Sequence, residues 1–314
     1  MEIGRRPRSG GARGGATVAL VLVLAAACTP GPEGPAAGDP AAPGAGVRSF
    51  ATSLRVAATT PALAWLVERI GGAAARVERL GPEWLDPART PTAEEVLQLS
   101  AADLIVTRGR RIETWLETAS LPESRLVETT DGMGLLVREG PTHSHGTEGE
   151  HSHWIADPAT PLDPELFAAQ ARSVHQALVR AAASAPDPDP DPFATAAAGL
   201  AAELEELAAG FRAIGGEWSQ RGVDACAAPA DRLGYACRAL GLPAARSEGA
   251  AQPARTLVLW PLGVPDPPMA VDTVVVPLDP LELPPGGDPS AGFDYLGRQR
   301  ANLERLRAGL GAGS

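Results

Sequence analysis

Lysine is absent from this chain, histidine occurs five times and cysteine three times. Without lysine every base is arginine, which marks a biased genome rather than a mechanism. Beyond the N-terminal arginines basic residues form no cluster and the formal net charge is −11, so the chain is a poor candidate for nucleic-acid binding. After the first thirty residues no stretch approaches the run of about 20 apolar residues that crosses a bilayer. Gly-x-Ser-x-Gly elbows, His-Glu-x-x-His helices and phosphate-binding loops are also missing, and no general base can be identified. The sequence therefore gives no reason to expect an enzyme.

Against that scarcity stands one dense feature, His143-Ser144-His145-Gly146-Thr147-Glu148-Gly149-Glu150-His151-Ser152-His153. It holds four of the five histidines as two His-x-His pairs. Residues two apart on an extended segment face the same side, so His143 and His145 form one donor pair and His151 and His153 another. Gly146 and Gly149 permit the turn that brings the pairs together. Neutral imidazole is the commonest transition-metal ligand, and Zn²⁺ takes four such donors at about 2.0–2.2 Å. The segment either forms the site by itself, contributes nitrogens to a site closed by a carboxylate elsewhere, or collects metal as an antenna. With so few histidines elsewhere, we read it as the site. Glu148 and Glu150 are outer partners or solvating charges. His175 reads as an exposed helix residue.

The N-terminus carries Arg5, Arg6, Arg8 and Arg13, then an apolar run from Thr17 to Ala27, then Cys28. This is an export pattern, and Leu24-Ala25-Ala26-Ala27-Cys28 resembles a lipobox. Residues 1–27 are expected to be a lipoprotein signal peptide and Cys28 the lipidated residue, giving a periplasmic or cell-surface protein anchored through lipid. Residues 28–50, rich in Pro, Gly and Ala, read as a flexible tether. Loss of residues 1–27, with four Arg and one Glu, would take the charge from −11 to −14. In an exported protein the two remaining cysteines, Cys226 and Cys237, often pair as a disulfide; the rival reading is two buried thiols. Their spacing fits no thiolate metal motif.

Strand and helix signals alternate from residue 54 onward. Leu54–Ala58 reads as a buried strand, and Thr60-Pro61 caps a helix with apolar face Leu63, Leu66, Val67 and Ile70. Val77–Leu80 is a strand. Thr92-Ala93-Glu94-Glu95 is a capping box opening a helix. Ala102–Val106 is a strand, Ile112–Glu117 helical, and Leu126-Val127 and Leu135–Val137 short strands. Asp163-Pro164-Glu165 starts a helix reaching Ala183. A Pro-Asp repeat follows, and Asp191-Pro192 opens a long helix stopped at Gly215-Gly216. Val223–Cys226, Leu257–Trp260 and Thr273–Val276 are strands, Arg232–Leu240 is a helix closed by Gly241, and Phe293–Leu310 is the terminal helix. The pattern predicts an α/β fold of two lobes with mainly parallel sheets, bridged by one long helix. The boundaries are 51–190 for a metal-binding N-terminal lobe, 191–216 for the bridge and 217–314 for a C-terminal lobe.

These residues resemble a family. Glu68-Arg69-Ile70-Gly71-Gly72, Leu85-Asp86-Pro87 before Pro91-Thr92, Leu99–Ile105 with Glu113-Thr114-Trp115-Leu116, and Leu162-Asp163-Pro164 after the histidine segment occur in a familiar order. With Val276–Leu281, Phe293-Asp294-Tyr295-Leu296 and Asn302, they are similar to the zinc/manganese-type (cluster A-I) solute-binding proteins of bacterial metal ABC transporters. The likeness spans residues 54–310 and implies metal bound between two lobes joined by a rigid helix. It departs at three imidazole positions, occupied here by Ala88, Ala159 and the Ala228-Pro229-Ala230 region. A subgroup with a His-Ser-His…His-Ser-His loop is the nearer relative.

By that resemblance Asp279 is the last acidic ligand; its alternative role is a turn residue in Leu278-Asp279-Pro280. Asp86 and Glu83 are weaker candidates. Trp84, Trp154 and Trp260 either line the cleft or pack in cores. The implied function is capture of a divalent transition metal, zinc first and Mn²⁺ or another dication next, for a metal ABC permease and its ATPase. A degenerate relative that buffers metal or binds a partner without transport is the alternative. The expected state is a monomer.

Overall fold

The computed structural model describes residues 53–86, 89–139, 143–144, 150–151, 154–183, 191–228, 233–245, 255–265, 273–282 and 292–312. The expected signal peptide, Cys28, the tether, Ala88, the Pro-Asp repeat, His145, Glu148 and His153 lie outside the described residues.

The first sheet forms from short strands. β1 (Leu54–Ala58), β2 (Ala75–Arg79), β3 (Leu104–Thr107) and β4 (Leu126–Glu128) lie in the order β2-β1-β3-β4, all parallel. β1 and β3 are largely apolar and buried, while β2 at the edge alternates Arg76, Glu78 and Arg79 with Ala75 and Val77. Parallel strands linked by helices bury both faces, and alternate residues divide accordingly. Val56, Ala58, Leu104 and Val106 enter the main core, while Ala57 and Ile105 face a second cluster with Trp84, Leu99, Trp115 and Leu116. β1 passes into α1 (Pro61–Gly71), whose first amides are capped by Thr60 with Pro61 at the first position. The capping box at Thr92 and Glu95 closes reciprocally and starts α2 (Ala93–Ser100). Residues 114–117 form a 3₁₀ turn, a tighter structure than the helix read from the sequence.

The hairpin segment follows. β5 (Val137–Glu139) pairs antiparallel with β8 (Trp154–Ala156), and between them β6 (His143–Ser144) pairs with β7 (Glu150–His151). Asp163 then caps α3 (Pro164–Ala182), accepting from the Glu165 and Leu166 amides.

The bridging helix α4 spans Ala194–Gln220. It runs through Gly215-Gly216, which the sequence reading took as its stop. The reason is tertiary: a Cβ at Gly215 would lie 1.8 Å from the Leu240 carbonyl oxygen, so glycine serves a close helix approach there. The last turn instead closes near Gly222, at φ 78°. The second sheet comprises β9 (Ala225–Ala227), β10 (Thr256–Pro261) and β11 (Thr273–Leu278) in the parallel order β11-β10-β9. α5 (Gly234–Leu240) ends at Gly241 in the left-handed region, and α6 (Tyr295–Ala312) closes the chain. One apolar core runs from Val56 and Leu66 through Phe167, Leu204 and Phe211 to Leu259 and Leu306, so the lobes share packing rather than meeting only at a linker.

Candidate functional site

In open parallel sheets ligands bind beyond the carboxyl ends of the strands, where strand order reverses. Here the reversal lies between β1 and β3. A cleft of about 530 Å³, counted with its open mouth, sits at that place. Thr60, Ala62 and Leu63 follow β1, Leu85 follows β2 and Arg108 follows β3. Pro280, Leu281 and Glu282, after β11, form the opposite wall, and Pro158, Ala159, Thr160 and Pro161, after β8, complete it. The cleft therefore collects the strand ends of both lobes and the exit of the histidine hairpin.

Its charges are largely paired internally. Arg108 Nε donates to Glu113 Oε1 at 3.1 Å, and the Arg108 amide donates to Glu113 Oε2 at 2.7 Å. The device recurs just before the second wall: Arg298 Nε and Nη2 donate to Asp279 Oδ2 and Oδ1 at 2.7 and 2.5 Å. Burial alone would raise the Asp279 carboxyl. The Arg298 hydrogen bonds, the Leu281 amide and the charges of Arg298 and Arg305 outweigh it and hold the group below the ordinary carboxylate range. Asn302 fixes the backbone of Asp279 from both sides, accepting from its amide and donating to its carbonyl. Deeper in, Thr160 donates to Gln170, Gln170 to Thr129, and Thr129 to the Thr107 carbonyl, an uncharged chain under the cleft.

Of the residues singled out from sequence, His143 and His151 are Cα partners across the β6–β7 ladder, so the backbone sets one histidine of each pair opposite the other. Asp279 stands immediately before the cleft residues Pro280–Glu282, with both oxygens engaged by Arg298. To reach a cation it would have to part from that arginine. Ala159 lines the cleft where the resemblance implies an imidazole. Among the described residues no three His, Cys, Asp or Glu side chains converge as a metal site. His175 is half-buried and paired with Asp191 at 3.0 Å, not an exposed helix residue, because the start of α4 folds back beside α3. Trp84 packs edge-on against Trp115 at 5.1 Å under the Arg89 guanidinium, away from the cleft. Cys226 and Cys237 are joined in a disulfide with Cα atoms 5.6 Å apart.

Sequence reasoning missed three features. The two arginine–carboxylate pairs left no local signature. Tyr295, noted only as part of a motif, donates to the Pro161 carbonyl at 2.8 Å, and Gln299 donates to the same oxygen at 2.9 Å. Burial drives the Tyr295 phenol far above its ordinary value and keeps it protonated as a donor. Tyr235 ties α5 to the residue before β5. The two tyrosines of the chain thus both carry hydrogen bonds between lobes.

Two parallel α/β sheets that face one cleft and share a single long bridging helix define the fold class. The family model for ZnuA, zinc-uptake complex component A, periplasmic, matches residues 56–256, and the chain belongs to that family. Its members are solute-binding components of metal ABC importers, not enzymes. Solved structures agree in fold. The metal-dependent lipoprotein YcdH of Bacillus subtilis is 16% identical with a TM-score of 0.58, over 82% of this chain and 98% of that one. The zinc-bound ZnuA-like domain of Streptococcus pneumoniae AdcA is 20% identical with a TM-score of 0.57, over 82% and 99%. The periplasmic zinc-binding protein TroA of Treponema pallidum is 19% identical with a TM-score of 0.56, over the same shares. No curated protein sequence matches the chain.

Proposed function

We propose that this chain is a lipid-anchored extracytoplasmic receptor that captures a divalent transition metal, zinc first, on its histidine hairpin and passes it to an ABC permease and ATPase. His143, His145, His151 and His153 are the assigned nitrogen donors, and Asp279 is the carboxylate that completes the set when Arg298 yields it. Cys28 is the assigned lipid attachment point, and the receptor works as a monomer. The observation that carries this reading is the path of the chain: β8 closes the hairpin and runs directly into Pro158–Pro161, which line the cleft. The cleft itself offers one carboxylate, Glu282, and an alanine where an imidazole is implied. Nitrogen donors therefore have to come from the histidine segment, whose exit strand leads into the cleft. Nitrogen-rich ligation favours zinc over manganese, and copper or nickel would bind in vitro by the usual stability order.

The family, its periplasmic description and the zinc named for AdcA and TroA support the metal. The test is a zinc titration of the purified chain and of a variant with all four hairpin histidines changed to alanine. We expect one tight site in the wild type and a loss of about 100-fold or more in the variant, as first ligands are removed. Equal affinity in both proteins would place the site elsewhere.

A further inference from the structure

The root of the hairpin is a two-stranded ladder of three residue pairs, and among the described residues neither β5 nor β8 pairs with either main sheet. Such a ladder is marginal in water by itself, so something else must set where the histidines stand. The contacts come from α5, an element of the other lobe. Tyr235 Oη accepts the Leu136 amide at 2.9 Å, just before β5. The carbonyl of that same residue accepts the Asp157 amide at 2.9 Å, just after β8, so Leu136 both closes the ladder and bonds to α5. Arg238 spans the two arms. Its Nη1 donates to the Gly134 carbonyl at 3.0 Å on the incoming side, and its Nε pairs with Asp163 at 3.1 Å on the outgoing side. At Gly234 a Cβ would lie 3.4 Å from the Leu136 side chain and 3.7 Å from Asp157, so α5 lies in contact with both arms.

α5 is itself immobilised. The Cys226–Cys237 disulfide fastens it to β9, and Gly215 of α4 receives the carbonyl at its last residue. Tyr235 is fully buried, and burial pushes its phenol up to about 12, so it stays a neutral hydrogen-bonding group at any physiological pH.

We propose that Tyr235 and Arg238 are positioning residues for metal capture: from α5 they hold the incoming and outgoing arms at the root of the histidine segment, Leu136 and Gly134 on one side and Asp163 on the other. This rests on the reading of the hairpin as the metal site. Neither residue is an assigned ligand; they fix the β5–β8 ladder at the root of the segment that carries the histidines, as outer partners fix ligands in other metal sites. The same contacts link the root of the hairpin to the half of the chain whose residues 280–282 form the opposite cleft wall.

The test compares zinc affinity of the full chain, of Tyr235→Phe/Arg238→Gln, of Tyr235→Phe/Arg238→Lys and of the four-histidine variant, with Zn²⁺ alone as the probe. Amide exchange over residues 134–157 is followed alongside, at a temperature where each protein is folded by circular dichroism. The glutamine variant should bind zinc about tenfold or more weakly. Its ladder amides should exchange faster while those of β1 and β3 do not, and lysine at 238 should recover part of the affinity. Wild-type affinity in the glutamine variant, with the four-histidine protein unable to bind, would overturn the positioning role and leave α5 as interlobe packing. Wild-type affinity in the four-histidine protein would overturn the hairpin reading itself and the positioning proposal with it.

Discussion

The two sides of the cleft are each braced by an arginine–carboxylate pair, in different states of access. In the N-terminal lobe Arg108 and Glu113 are sealed, with side chains 6% and 0% exposed. In the C-terminal lobe Arg298 and Asp279 remain partly open at 13% and 18%. A sealed ion pair has no solvent to receive its charges once separated, so it is a fixed part of the fold. A partly open pair can exchange its arginine for a solvated cation at smaller cost. The contrast separates the two pairs: Glu113 holds the loop after β3, whereas Asp279 is the carboxylate we propose as the ligand that completes the hairpin's donor set.

The comparison breaks most visibly at its sealed end. Glu113→Ala leaves the Arg108 guanidinium buried, with only the Trp84 and Leu85 carbonyls at 3.4 Å as neighbours. Loss of one partner of a buried pair costs about 3–5 kcal/mol, so this variant should unfold at markedly lower denaturant, as measured by urea melts. Unchanged stability would show that the pair is not sealed.

Asp279→Asn sharpens the open end. It should lower zinc affinity by about tenfold while costing about 1 kcal/mol of stability, read from paired zinc titrations and melts. A stability loss with no change in zinc affinity would restrict Asp279 to clamping the turn after β11.

The smallest effects are those of pH, and they separate the two elements. Histidine ligation requires neutral imidazole, so zinc affinity should fall below about pH 6. The Asp279 carboxyl is held below its ordinary value of 3.8, so its stabilisation is complete above that value and is lost only as pH falls through the lower folded value. Zinc should therefore leave well before the Asp279–Arg298 pair is lost. Simultaneous loss of both would contradict the division.

Elements with local causes could be read from the chain alone. Thr60-Pro61, Thr92 with Glu95, and Asp163-Pro164 each place a cap where the structure has one, since capping depends on three or four consecutive residues. The parallel α/β pattern was legible for the same reason, from short apolar strands set between capped helices. Gly215-Gly216 misled because the cause of that glycine is the Leu240 carbonyl on another helix, 25 positions on. His175 misled because its partner Asp191 is supplied by the fold. Within the site, the histidine segment announces itself by composition. The arginine that holds Asp279 and the tyrosines that tie the lobes do not, because each acts across a separation that only the folded chain closes.

The identity of the zinc ligands is the most direct test. X-ray absorption at the zinc edge of the loaded wild-type chain should show about four nitrogen or oxygen neighbours at about 2.0–2.1 Å, with the multiple-scattering signature of several imidazoles. A shell of oxygen alone, or one unchanged when the four hairpin histidines are replaced by alanine, would contradict it.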